Sequence, residues 1–440
     1  MHSDGWIYNM PKDLIILCDG TGDSPEDGSS ATNVQILRDL LIQNAQEKKT
    51  VLEDPSQGWE THVLNNQGKT QVVYYDRGIG SPVLNAEGKL DRWSWLPTHF
   101  FTNVKLIYDK FKDANAEVSG CGVIANVAQA YKFLVSNYSP GDQIFLFGFS
   151  RGSYTLRLLI TILRYIGLLN ASNFTAEAQI NNVIEQGFDI YNTDLHPDAN
   201  PEVLEFRNLC YPHENLVHFL GLWDTVRGLV MERVHEDAKL SSVVKVARHA
   251  LAIDEQRAIY KPEIWIPSST CDSKQVWFAG AHGDVGGGYK TRGLANTALH
   301  WMVTEGNAFD LGIKTELLSL DQFKPDPLAM QNDSLTAKIQ KNLDITWQSV
   351  GGIYRRPIAQ MVVTEGLHES VIYRFGKKVI KGNTEIVYHP SNLTHTLVAF
   401  RNSFDGHKEG FSEEITKLLL PDPDELSDVG EDTSLLQARP

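Results

Sequence analysis

One stretch limits the fold of this chain more than any other. Gln143–Phe147 (QIFLF) runs into Gly148-Phe149-Ser150-Arg151-Gly152, and the mostly apolar segment Arg151–Leu169 follows at once. A short apolar run closed by glycine reads as a buried strand, and the longer run behind it has helical length. A strand that passes directly into a helix belongs to layered α/β architecture with a mainly parallel sheet. The turn between them matches G-x-S-x-G, and its setting is that of a nucleophile elbow. Ser150 must take a tight, strained conformation that exposes its Oγ, and side chains two residues to either side would collide there; Gly148 and Gly152 remove them. The competing reading is a glycine-rich strand–helix turn with a capping serine.

The rest of the chain alternates in the same way. Asp13–Cys18 (DLIILC) reads as a buried strand ending in the glycine loop Asp19-Gly20-Thr21-Gly22. Asn33 offers an N-cap to a helix over Val34–Ile42, and Thr61–Leu64 and Gln71–Tyr75 flank a turn at Asn65–Gly68. Helices are expected over Asn103–Phe111 and Val123–Tyr138, and further strands over Leu216–Leu222 and Gln275–Ala279. Residues 170–211 are polar and read as a helical insertion without a strand, suited to covering a site. The expected organisation is an α/β-hydrolase-like catalytic domain over 12–312 containing that insertion, a C-terminal extension over 313–420, and an acidic, disordered tail over 421–440.

Composition narrows the function classes. With 440 residues, 42% hydrophobic and 22% charged, the chain can bury a large core, which excludes wholesale disorder. The net charge of −15 argues against nucleic acid as a partner. Six acidic residues between Asp422 and Asp432 and the single Arg439 give the tail −5 of that total. Cys18, Cys121, Cys210 and Cys271 show no CxxC spacing, so neither a zinc cage nor a disulfide framework is expected. The N-terminus lacks a basic region and apolar run, and no stretch reaches the roughly 18 apolar residues of a membrane span. The expectation is a cytoplasmic protein with no transmembrane segment, no metal and no cofactor. Asp19 and Asp284 are the carboxylates in glycine loops that could hold a cation.

A serine nucleophile needs a base, and the base needs an orienting acid. With this elbow the acid and then the histidine follow the serine along the chain. Leu216–Leu222 leads to Trp223-Asp224-Thr225-Val226, which puts Asp224 at a strand's C-terminal end. Gln275–Ala279, taken as the next strand, leads to Gly280-Ala281-His282-Gly283-Asp284-Val285-Gly286, which puts His282 at the start of a flexible loop. His368 and His395 are reserve bases and Asp284 a reserve acid. The oxyanion would be held by the backbone amide of Arg151 and by that of Gly20 or Thr21.

Six motifs occur in order: CDGTGDS at Cys18–Ser24, YYDRGIG at Tyr74–Gly80, YSPGDQIFLFGFSRGSYTLR at Tyr138–Arg157, FLGLWDTV at Phe219–Val226, HALAIDEQR at His249–Arg257 and VWFAGAHGDVGGGY at Val276–Tyr289. Together they resemble an uncharacterised α/β-hydrolase family that includes one class of lipase effectors of the bacterial type VI secretion system. The resemblance covers roughly Lys12 to Gly312. It implies a catalytic triad of Ser150, Asp224 and His282, the residues that order and strand position select independently. Gly283 stands where the family has serine. Characterised members are phospholipases, so the resemblance implies a serine esterase acting on lipid or phospholipid acyl esters.

Two other functions fit the same residues: hydrolysis of a small soluble ester or thioester, and a non-catalytic binding protein on a hydrolase scaffold. The aromatic segment Leu90–Phe101, with Trp93, Trp95, Phe100 and Phe101, reads either as a loop making transient contact with a membrane surface or as core packing. Gly68-Lys69-Thr70 lacks the upstream glycine of a phosphate loop, and His213-Glu214 with His218 has one residue too many for HExxH.

Overall fold

A computed structural model describes residues 10–20, 30–54, 58–78, 121–191, 198, 200–212, 214–227, 239–335, 365–390 and 392–393. Thr21, Leu90–Phe101, Asn103–Phe111, His395 and the tail from 421 lie outside them. Its strands are β1 (Asp13–Cys18), β2 (Ala45–Asp54), β3 (Gly58–Asn65), β4 (Thr70–Asp76), β5 (Gln143–Phe149), β6 (Leu168–Leu169) and β7 (Cys210–Tyr211). They continue with β8 (Val217–Trp223), β9 (Val244–Ala252), β10 (Asp272–Phe278), β11 (Glu365–Leu367), β12 (Lys378–Lys381) and β13 (Thr384–Val387).

Among the described residues the main sheet has nine strands in the order β11-β10-β9-β8-β5-β1-β4-β3-β2. From β11 to β4 every pairing is parallel, and β3 and β2 add an antiparallel edge. This is the large, mainly parallel, helix-flanked sheet of an α/β-hydrolase-like fold. The apolar runs of β1 and β5 are continuous because both sheet faces are covered. Leu14, Ile16, Ile144 and Leu146 join the core on one face, with the helices Cys121–Asn137 and Arg151–Ile166. Ile15, Leu17, Phe145 and Phe147 point the other way, toward Asn33–Gln43 and Gly293–Asn307. Each such side chain, buried, contributes roughly 1.5–3 kcal/mol.

The topology fixes where a site can form. From β1 the chain reaches β4 on one side and then crosses to β5 on the other, so the C-terminal ends of β1 and β5 border a switch point, where open α/β sheets bind ligands. Register aligns those ends: Cys18 lies opposite Gly148, and Phe149 opposite Trp223. Asp19, Ser150 and Asp224 therefore emerge along one edge of the sheet.

Several expectations need correction. Thr32, not Asn33, caps the first helix, in a reciprocal capping box with Gln35, while the Asn33 amide donates to the carbonyls of Val285 and Ala295. The helix after Ser150 ends at Ile166, because Gly167 takes φ 87°, and Leu168–Leu169 becomes β6. The segment 170–211 does contain a strand: β7 pairs with β6. Its helices Glu177–Tyr191 and Pro201–Arg207 pack at the far end of Arg151–Ile166. Phe188 meets Tyr131 edge-on at 5.6 Å, and Arg207 donates to the carbonyls of Arg164 and Tyr165. A helix of 16 residues is about 24 Å long, so these helices do not cover Ser150.

Part of the C-terminal extension joins the main sheet. β11 pairs with β10, and Val371, Val379 and Tyr388 share a core with Leu251 and Trp277. No described helix is long and apolar enough to cross a membrane.

Candidate active site

The elbow forms as its glycines require. Ser150 sits between β5 and the helix at φ 57°, ψ −125°, a region that L residues rarely occupy. A Cβ at Gly148 would lie 2.8 Å from Ser153 Cα, and one at Gly152 would run into the carbonyl oxygens of Cys18 and Asp19. The strained turn is held by neighbouring strands: the Ser150 amide donates to the Trp223 carbonyl at 3.0 Å, and Ser153 Oγ donates to the same oxygen at 3.2 Å.

Asp224 leaves β8 with φ 38° and is fully buried. Its amide donates to Ala250 O at 2.7 Å, and its Oδ1 accepts from the Ala252 amide at 2.9 Å. Both partners belong to β9, a strand that the sequence pattern did not reveal and that separates β8 from β10. His282 is therefore not reached by the next strand, and it opens a short helix, His282–Gly286, rather than a loop.

These three side chains meet. Ser150 Oγ lies 2.8 Å from His282 Nε2, and His282 Nδ1 lies 2.6 Å from Asp224 Oδ2. Because the carboxylate accepts, Nδ1 carries the proton and Nε2 is left to receive one from Ser150. Burial lowers the His282 pKa below its ordinary value; the hydrogen bond and charge of Asp224 oppose that shift, and the Arg257 charge adds to it. The imidazole contacts two rings, Phe149 tilted against it at 4.6 Å and Tyr260 edge-on at 4.7 Å. Neither ring was picked out from the sequence. The only signals were adjacency to Ser150 for Phe149, and for Tyr260 its place three residues after HALAIDEQR.

The other candidates fare differently. β1 does neighbour β5, but the Gly20 amide donates to Asp19 Oδ1 at 2.7 Å, which occupies the donor expected for an oxyanion. Asp19 Oδ2 accepts from Thr32 Oγ1 and Tyr75 Oη at 2.9 and 2.8 Å, and burial pushes its pKa up to about 6. Asp284 stands apart from the imidazole and braces its own loop, accepting from the amides of Ala281 and Asn332 and from Asn332 Nδ2. Burial pushes its pKa up to about 7. His368 lies elsewhere, stacked on Phe278 at 4.5 Å with Nδ1 against Ser370 Oγ, and burial lowers its pKa to about 4. Among the described residues no group of three or more His, Cys, Asp or Glu is arranged to hold a metal ion.

Comparison with known proteins gives the family. The chain is 25% identical over 214 residues to the uncharacterised protein YEL023C of Saccharomyces cerevisiae, an alignment covering 46% of this chain and 28% of the yeast protein. A solved structure of an uncharacterised protein from Pseudomonas aeruginosa aligns over 69% of this chain and 46% of its own, with 18% identity and a TM-score of 0.34. A structure of the Tle1 effector bound to the VgrG spike of the type VI secretion system aligns over 64% and 52%, with 18% identity and a TM-score of 0.27. The chain thus spans about a quarter of the curated relative and about half of each solved chain. Residues 12–305 match the family model described as T6SS, phospholipase effector Tle1-like, catalytic domain, and the chain belongs to that family.

Proposed function

We propose that the protein is a serine hydrolase of carboxylic esters, with lipid acyl esters, phospholipids among them, as its substrate class. One observation carries the proposal: an unbroken hydrogen-bond chain from buried Asp224 through His282 to Ser150, whose backbone is held in a strained elbow. In the proposed reaction Ser150 Oγ attacks the acyl carbon as its proton passes to His282 Nε2. Asp224 fixes the imidazole tautomer and stabilises the imidazolium, which then protonates the leaving alkoxide. Water repeats the sequence on the acyl-enzyme, with His282 as base.

The amide of Arg151, at the first position of the elbow helix, is the proposed first oxyanion donor, and such a donor supplies on the order of 3–4 kcal/mol. The loop Gly20–Thr21 is the proposed source of the second donor; the Gly20 amide already donates to Asp19, and Thr21 lies outside the described residues. No step requires a cofactor. The catalytic unit on this reading is 12–312, with 170–211 as its insertion, and 313–420 extends it by adding β11 to its sheet. Free thiols at Cys18, Cys210 and Cys271 suit folding in the cytoplasm. The family's phospholipase members support the lipid substrate; a small soluble ester is the outcome if lipids fail.

Labelling with a fluorophosphonate tests the nucleophile without knowledge of the substrate. Ser150→Ala should lose labelling and should lose hydrolysis of phosphatidylcholine vesicles by on the order of 10⁴–10⁶ in kcat, with an unchanged far-UV spectrum. Full labelling of the variant would point to another nucleophile and overturn the assignment.

A further inference from the structure

We propose that the buried pair Glu255–Arg257 positions His282 and balances its charge, making both of them positioning residues for the reaction; this rests on His282 being the base proposed above. Both belong to HALAIDEQR, a motif that the proposed mechanism leaves without a role.

The geometry ties three separate segments to one carboxylate. Glu255, 1% exposed, follows β9. Its Oε2 accepts from the His282 amide at 3.2 Å and from Arg257 Nη2 at 2.8 Å. Its Oε1 accepts from the Arg257 amide and Nε at 2.8 and 2.9 Å, and from Ser334 Oγ at 3.3 Å. The exit of β9, the start of the His282 helix and the chain at Ser334 are therefore held at one point. Arg257 Cζ lies 3.7 Å from the Tyr260 ring centre, and Tyr260 in turn meets the His282 imidazole. Backbone and ring of the base are thus fixed by the same pair, one directly and one through an aromatic contact.

The electrostatic side follows from the signs. Among the described residues, the charged and titratable groups that face the imidazole are Asp224 from the end of β8, and Glu255, Arg257 and Tyr260 from the segment after β9. Asp284 directs its carboxylate to Ala281 and Asn332, and the buried Tyr289 hydroxyl lies within the field of Arg257. Glu255 favours the imidazolium and Arg257 disfavours it. Asp224 is then left as the charge partner that the imidazole feels most.

The test is the rate of fluorophosphonate labelling of Ser150 from pH 5 to pH 9, in the full chain, for the wild type, Glu255→Gln, Arg257→Gln and Arg257→Lys. The wild-type rate should rise with pH through an inflection below 6.5. Arg257→Gln strips the counter-charge and should move the inflection up by about one pH unit, while Glu255→Gln should move it down by a similar amount. Both should also label on the order of 10-fold or more slowly at their optimum, because the base is less well held. Arg257→Lys keeps the charge and should keep the inflection. Mere loosening would hydrate the imidazole and raise the inflection in every variant, so a rise in Glu255→Gln overturns the proposal, as does an unmoved inflection in both glutamine variants. Should Glu255→Gln fail to fold, the contrast between Arg257→Gln and Arg257→Lys decides alone: equal inflections overturn it. A wild type that labels at Ser150 while the variants behave as it does refutes this pair and leaves the hydrolase reading intact; a wild type that never labels removes the base itself.

Discussion

Gly152 shows how a single hydrogen atom can be required. A methyl group there would meet the carbonyl oxygens of Cys18 and Asp19, which belong to the backbone of β1 and its exit and cannot swing aside. Gly152→Ala should therefore cost about 1–3 kcal/mol in denaturant unfolding and lose most ester hydrolysis, since relieving the clash shifts the elbow. Asp284 offers a second test. Burial raises its pKa from 3.8 to about 7, so the folded state holds a proton that the unfolded chain has released. Its contribution is fully present below the unfolded value and is lost as pH rises from about 4 to about 7, by up to about 4 kcal/mol. Asp284→Asn cannot ionise, so the melting temperature of the variant minus that of the wild type should climb across this window. A constant difference would show that Asp284 is ionised at no cost in the fold.

At the scale of elements, three strand ends and one short helix assemble the site. β5 delivers Ser150, β8 delivers Asp224, and β9 supplies the backbone partners of Asp224 and then Glu255. The helix His282–Gly286 turns the imidazole back over Phe149. His368 begins a different helix, Glu369–Arg374, beyond β11, and its ring packs on Phe278. His368→Ala should thus retain kcat within a few-fold and lose about 1 kcal/mol of stability through the stacking contact. His282→Ala measured beside it should be inactive. The reverse pattern would require the base to be reassigned.

At the scale of the whole molecule, the net charge of −15 bears on which lipid surface the protein meets. An acidic protein is repelled by anionic bilayers, and the repulsion is screened within about 10 Å at 0.1 M salt. Hydrolysis of phosphatidylcholine vesicles should exceed that of phosphatidylglycerol vesicles at low ionic strength, and added salt should narrow the gap. A preference for the anionic vesicles at low salt would indicate a local basic or apolar docking patch that outweighs the overall charge.

Residue order and local pattern determined a good deal by themselves. Apolar runs closed by glycine gave β1 and β5, because a strand covered on both faces needs no polar residue along its length. The glycines of the elbow marked Ser150, because the requirement they meet is local and steric. Asp224 and His282 followed from their places after strands, and these three side chains lie within hydrogen-bonding distance of one another. Tertiary structure decided the rest. The polar edge strand β2 and the strand β9 carry no clean alternation, since cross-strand pairing rather than local pattern stabilises them. The insertion 170–211 reads as a cover because it is helical and polar, yet which end of Arg151–Ile166 it packs on depends on Tyr131, Ile166 and Phe206, contacts that no local pattern encodes. The Gly20 amide and the pair Glu255–Arg257 make the same point. Whether a donor is occupied, or a carboxylate holds a histidine 27 residues away, follows from where the sheet brings distant segments together.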